Sequence, residues 1–106
     1  MQIRAKSVVI FQNKNRFLFT VCHEQSTNQV FYIPVGGGVQ VKEYSIDAVK
    51  REILEEINQE IENIKLLEIN ENIFTYNRKE EHEIVFIYTA DFKNKLAYDT
   101  INWQPK

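Results

Sequence analysis

Pro34-Val35-Gly36-Gly37-Gly38-Val39-Gln40-Val41-Lys42-Glu43 leads, seven residues later, into Arg51-Glu52-Ile53-Leu54-Glu55-Glu56-Ile57-Asn58. All three glycines of the chain stand together at 36–38. Glycine weakens strands elsewhere, so grouping it here implies backbone shapes or close approaches that a Cβ would block. Downstream, Ile46, Val49, Ile53 and Ile57 recur at three- and four-residue steps, the mark of an amphipathic helix. Ser45 reads as its N-cap, and Asp47 puts a negative charge in its first turn. Asn58 ends it, because Asn tolerates the left-handed conformation common there.

At about 100° per residue the four apolar side chains fall within an arc of about 80°, and Glu52, Glu55 and Glu56 fill a neighbouring arc of about 100°. Like charges at this spacing cost a few tenths of a kcal/mol each (roughly 0.2–0.5) even in water, and more if a loop lowers the local dielectric. A solvated acidic face is the plain alternative for the glutamates alone. Three glycines and Glu43 at fixed offsets favour a site for a divalent cation. Arg51 lies beside Glu55 on the wheel and can reach back to Glu43, bracing the glycine loop and orienting a carboxylate. Hard oxygen donors of this kind suit Mg²⁺ or Mn²⁺ rather than zinc.

Working outward, residues 7–11 and 16–21 are two β-rich runs around a polar turn and read as a hairpin. Residues 24–29 are a polar loop, and 30–33 form a strand stopped by Pro34. Residues 64–75 read as a long strand or a strand with a bend, 77–81 as a polar turn, and 84–88 as a strand buried on both faces. Signals after Asp91 are weak. A chain of 106 residues allows one domain, 1–106, of α+β type.

The formal net charge of −2 supplies no basic excess for coating an extended nucleic acid. Cys22 is the only cysteine, so no internal disulfide can form, and it reads as a small apolar strand residue. No stretch approaches a signal peptide or the roughly 18 apolar residues of a membrane span. The cytoplasm is the expected compartment.

The segment resembles the signature of the Nudix hydrolase family: Gly, five residues, Glu, seven residues, Arg-Glu-hydrophobic-any-Glu-Glu-any-Gly-hydrophobic. Gly37, Glu43, Arg51, Glu52, Ile53, Glu55 and Glu56 match it. Asn58 and Gln59 depart from its last two positions, and Gln40 and Lys42 stand where relatives often carry Glu and Gly. The run Glu71–Tyr76 followed by His82–Phe86 is also similar to some relatives.

The resemblance implies a Nudix-like α/β/α sandwich around a mixed β-sheet, shortened where the chain stops near Trp103. Apolar surface left open there invites a homodimer. It implies hydrolysis of a small nucleotide, a nucleoside diphosphate linked to another group, by water attack at phosphorus. Glu52, Glu55, Glu56 and the carbonyl of Gly37 then bind Mg²⁺ or Mn²⁺. The base is Glu52 or Glu56 within the cluster, or Glu83 or Glu81 from the later loop, with Glu83 favoured because it opens a strand. His82 and His23 are weaker candidates. Phe31, Tyr32, Phe74, Tyr76 and Tyr88 are candidates to stack on a base. The rival reading is a Nudix-like regulatory module that binds nucleotide or metal without turnover.

Overall fold

The structure, a computed structural model, describes residues 2–100 and 104–105, with the backbone alone for residues 20, 22, 31, 104 and 105. The side chains of Cys22 and Phe31, and all of Trp103, lie outside the described residues. In chain order the elements are β1 (Ile3–Ile10), the short β2 (Gln12–Asn13) and β3 (Arg16–Phe17), β4 (Phe19–Glu24), β5 (Gln29–Gly38), α1 (Ser45–Ile57), β6 (Ile61–Tyr76), β7 (Lys79–Phe92), the one-turn helix α2 (Ala97–Thr100) and β8 (Gln104–Pro105). Five of the strands form a mixed sheet in the order β4-β5-β1-β7-β6, and β2, β3 and β8 form a small second one. The expected α+β fold with a mixed sheet is what the chain adopts.

β1 is the central strand. It is antiparallel to β5, with Ser7 opposite Gly37, and parallel to β7, from Ile3 opposite His82 to Ile10 opposite Thr89. The hairpin expected between residues 7–11 and 16–21 forms only next to its turn, where Leu18 N–H meets the Phe11 carbonyl and β2 pairs with β3. Both edges of β1 are already taken, and β4 pairs with β5 instead. The polar turn survives as the β2–β3 flap, with Lys14 at φ +59°. Phe11 and Leu18, both buried, close the base of that flap. The tail, where sequence signals are weak, supplies α2 and β8.

β6 and β7 meet at Asn77 and Arg78, whose φ values of +51° and +66° suit the primed turn of a two-residue hairpin. The bend expected in β6 takes the form of two register shifts, at Glu62/Lys65 and Leu66/Glu68. Within β7, residues 84–88 are covered on both faces as expected, with Val85 buried in one row and Tyr88 in the other. One row of its side chains, including Phe86, Tyr88 and Phe92, turns to the core, while Glu81 and Glu83 in the other row line a cleft.

α1 packs on β5 and β1 and buries Ala48, Val49 and Ile53. Ile57 packs at the core margin, but Ile46 stays 37% exposed, so the apolar stripe is narrower at the helix start than the spacing suggests. Ser45 is the first helical residue rather than the cap. Tyr44 takes the cap position in extended backbone without a side-chain bond. Ser45 is used elsewhere: its carbonyl accepts from Ser7 Oγ at 2.7 Å, and its hydroxyl pairs with that of Tyr88. Asn58 does cap the C-terminus, at φ +54°, with its N–H on the Leu54 carbonyl.

The core joins Val9, Phe11, Leu18, Val35, Val49, Ile53, Ile61, Tyr88 and Phe92, with Phe11 stacked on Phe92 at 4.3 Å. Truncating the fully buried Ile53 to Ala is expected to cost about 2–5 kcal/mol in denaturant unfolding. Gly36 has a different role. At φ +154°, a Cβ there would lie 2.1 Å from the Ser7 carbonyl oxygen and 2.7 Å from Val8 Cα, both backbone atoms. Gly36→Ala is therefore expected to abolish or severely weaken folding. Gly38→Ala, which meets nothing within 4 Å, should stay within about 1 kcal/mol of the parent.

Candidate active site

The last strand residues of β5, the turn that follows and α1 form one cluster around Arg51. Its Nε and Nη2 donate to the two oxygens of Glu43, at 2.9 and 3.0 Å, in a bidentate fork. Nη2 also donates to the Gly38 carbonyl at 2.9 Å, and Nη1 to Glu52 at 2.9 Å. A longer contact, 3.4 Å, reaches the exposed Glu55. The bracing expected of Arg51 is thus present in detail. Its pKa is driven above its ordinary value, chiefly by the bonds to Glu43 and Glu52.

Glu43 is bound from both sides, because its Oε1 also accepts from the Gln40 N–H at 3.0 Å. The Arg51 guanidinium, followed by that N–H, lowers its pKa to about 2. Between them Lys42 sits at φ +66°. This is the position where relatives often carry Gly, and left-handed backbone explains that preference.

The carboxylates of α1 are crowded. The Cβ absent from Gly37 would lie 2.5 Å from the Glu52 carboxylate, so strand backbone and acid lie directly against each other. Glu56 is exposed as a residue, but its carboxyl is hydrogen-bonded to Glu52. Lost hydration first, then the charge of Glu52 and that hydrogen bond, raise its pKa to about 7. Among the described residues, no three His, Cys, Asp or Glu side chains are already drawn into a metal cage. Arg51 engages one oxygen each of Glu52 and Glu55. The donor set still fits a hard dication: adjacent carboxylates, a strand backbone that a Cβ would block, and one acid whose ionisation burial and then its neighbour Glu52 oppose.

Beside this cluster lies a cleft of about 390 Å³, lined by Arg4, Lys6, Ile33, Asn72, Phe74, Tyr76, Glu81 and Glu83. On β1, Ser7 and Val9 are buried towards the helix and core, while the alternate residues Arg4 and Lys6 reach the cleft. Lys6 Nζ is 3.5 Å from the buried carboxylate of Glu83 and close enough to Glu56 to oppose its rise in pKa. Glu83 thus lies in the cleft, beside the helix cluster rather than within it. The far end is closed by a clasp between hairpin tips. Asn77 N–H donates to Glu24 at 3.1 Å, Gln25 N–H to Asn77 at 2.8 Å, and the Tyr76 hydroxyl to the His23 carbonyl at 3.2 Å.

Of the aromatic candidates, Phe74 and Tyr76 line the cleft. Tyr88 is core, and Tyr32 is half-exposed against Phe19. Neither histidine joins the acidic cluster. His82 pairs with Glu71 and His23 with Asn28. Arg4, Lys6 and Asn72 were not legible as site residues. Their only sequence signal is alternation along strands whose pairing was not known.

The sequence model of the NUDIX domain matches residues 1–102. The chain belongs to the Nudix family. Among solved structures it is similar to a MutT NUDIX hydrolase from Burkholderia pseudomallei, with 26% identity and a TM-score of 0.68 over 89% of this chain and 71% of that one. It is similar to the MutT protein from Methanosarcina mazei Go1 at 25% identity and a TM-score of 0.52, over 96% of this chain and 75% of that one. A NUDIX hydrolase from Nitrosomonas europaea shares the fold at 17% identity and a TM-score of 0.59, and this Nudix chain, 89% of it covered, spans 63% of that one. No curated protein matches.

The raised pKa of Glu56 has a measurable sign. Its folded value of about 7 exceeds the unfolded 4.5, so its protonated form adds stability that is complete below 4.5 and lost as pH rises through about 7. Chelator-treated protein should therefore show a falling melting temperature across that window, and Glu56→Gln should flatten the fall. Arg51→Lys, which removes the fork, is expected to lower the melting temperature and make residues 39–44 the first site of limited proteolysis.

Proposed function

We propose that this Nudix hydrolase cleaves the pyrophosphate linkage of a nucleoside diphosphate derivative. The observation that carries this reading is the crowding of Glu52 against Gly37 and of Glu56 against Glu52, next to a cleft with its own cation, Lys6. Glu52, Glu55, Glu56 and the Gly37 carbonyl are the groups that would hold Mg²⁺ or Mn²⁺. A bound dication supplies charge neutralisation for the pyrophosphate and acidifies water.

The chain's own groups do the rest. Arg51 and Glu43 fix the glycine loop so that Glu52 stays against the strand. Lys6 offsets negative charge on the phosphate that faces it. Glu83, buried and not held by Arg51, is assigned as the base. A water oxygen bonds to phosphorus, the bond to the bridging oxygen breaks with its electron pair leaving on the departing phosphate, and the water proton goes to Glu83.

On this reading the chain works as one domain on a small nucleotide, not an extended nucleic acid, and in the cytoplasm. No helix among the described residues is long and apolar enough to cross a membrane. A homodimer is proposed through β6, an edge strand on which Leu66, Leu67, Ile69 and Ile73 are at least half exposed; light scattering showing only monomer at high concentration would exclude it.

The test is phosphate release from a panel of nucleoside triphosphates, nucleotide sugars and dinucleotides with Mg²⁺ or Mn²⁺. Glu56→Gln and Glu83→Gln are each expected to lower kcat by about 100-fold or more. Manganese titration separates them, with binding weakened in Glu56→Gln and retained in Glu83→Gln. Saturable binding of nucleotide without any turnover would instead make the chain a regulatory module.

A further inference from the structure

The cleft has an order along its length that follows from strand register. Lys6 stands opposite Val85, Arg4 opposite Glu83, Asn72 opposite Glu83, and Phe74 opposite Glu81. From the level of Lys6, near the acidic helix, to the level of Glu81 is four residues along β7, or about 13 Å at a strand rise of about 3.3 Å. Phosphates held beside Lys6 and Glu56 therefore leave room for a sugar at the level of Arg4 and Asn72. The base then falls between Phe74, Tyr76 and Glu81, under Ile33.

At that end, Phe74 is 39% exposed, and Tyr76 is fixed by its hydroxyl on the His23 carbonyl. Aromatic faces stack on any base and choose little among them. Choice has to come from a polar group. Glu81 is the polar side chain at this level of the cleft, and it has no ion-pair or side-chain hydrogen-bond partner among the described residues. Arg4, diagonal to it, makes no ion pair with it.

An ionised carboxylate only accepts. Its two oxygens suit an edge with two adjacent N–H donors, as a bidentate pair. Guanine presents that edge at N1–H and the 2-amino group. Adenine and cytosine put a ring-nitrogen acceptor beside their amino group, and uracil and thymine flank one N–H with carbonyls.

We infer that Glu81 is the base-selecting residue of the cleft and that the substrate is a guanine nucleotide, read through N1–H and the 2-amino group. This deepens the proposed hydrolysis and rests on it. Glu81 then touches the base, not the reacting phosphorus, and is not the catalytic base.

GTP and inosine triphosphate differ only by the 2-amino group, so their kcat/KM ratio isolates the contact. In the parent protein GTP should be favoured by about tenfold or more, as a hydrogen bond to a charged group allows. In Glu81→Gln the ratio should fall to within about threefold, through KM rather than kcat. Equal values in the parent, or an unchanged ratio in the variant, overturn the inference, and so does an equal fall in kcat on both substrates. If no nucleotide is hydrolysed at all, the proposed function fails separately. Calorimetric binding of GMP and IMP to the parent then decides: tighter GMP supports the assignment, and equal or no binding overturns it. A variant that does not fold leaves the parent comparison to decide.

Discussion

Arg51 is the interaction on which the site depends. One planar cation is shared among Glu43, the Gly38 carbonyl, Glu52 and, at longer range, Glu55. These groups come from a strand end, a turn and a helix, and the guanidinium is bonded to all three. Several donors in a fixed fork can satisfy such a set, and a lysine cannot. The same bonds leave Glu56 beside Glu52 without a guanidinium of its own, which is why the acid strain of α1 collects there.

Much of this was legible in the sequence because it is local. The Glu43–Arg51 fork, the capping Asn58, the glycine run and the acidic stripe all lie within one turn-helix segment of about 20 residues, where spacing along the chain predicts spacing in space. The roles of the three glycines could not be separated that way. Only the packed structure shows that Gly36 admits the Ser7 backbone, Gly37 admits the Glu52 carboxylate, and Gly38 admits nothing.

What failed was non-local. A hairpin between β1 and β4 was the natural reading of two adjacent apolar runs, yet β5 and β7 claim both edges of β1. The cleft suffers from the same blindness. Lys6 becomes meaningful only beside Glu83, 77 positions away, and an alternating basic residue on an unassigned strand looks like ordinary surface. Ser45 misled for a different reason: its hydroxyl met Tyr88, a tertiary partner, instead of capping its own helix. The family resemblance gave the fold, whereas pairing alone decided which side chains share the cleft.

The parallel union of β1 with β7 also bears on the order of assembly. Ile3 has its partner in His82, so β1 is joined on that edge by a strand that is synthesised 79 positions later. Until then its Val8 and Val9 have no full sheet to occupy, and loops that span most of the chain close slowly. Nascent chains must therefore carry an open apolar edge until β7 emerges, a period in which chaperone contact or mispairing competes with the native match.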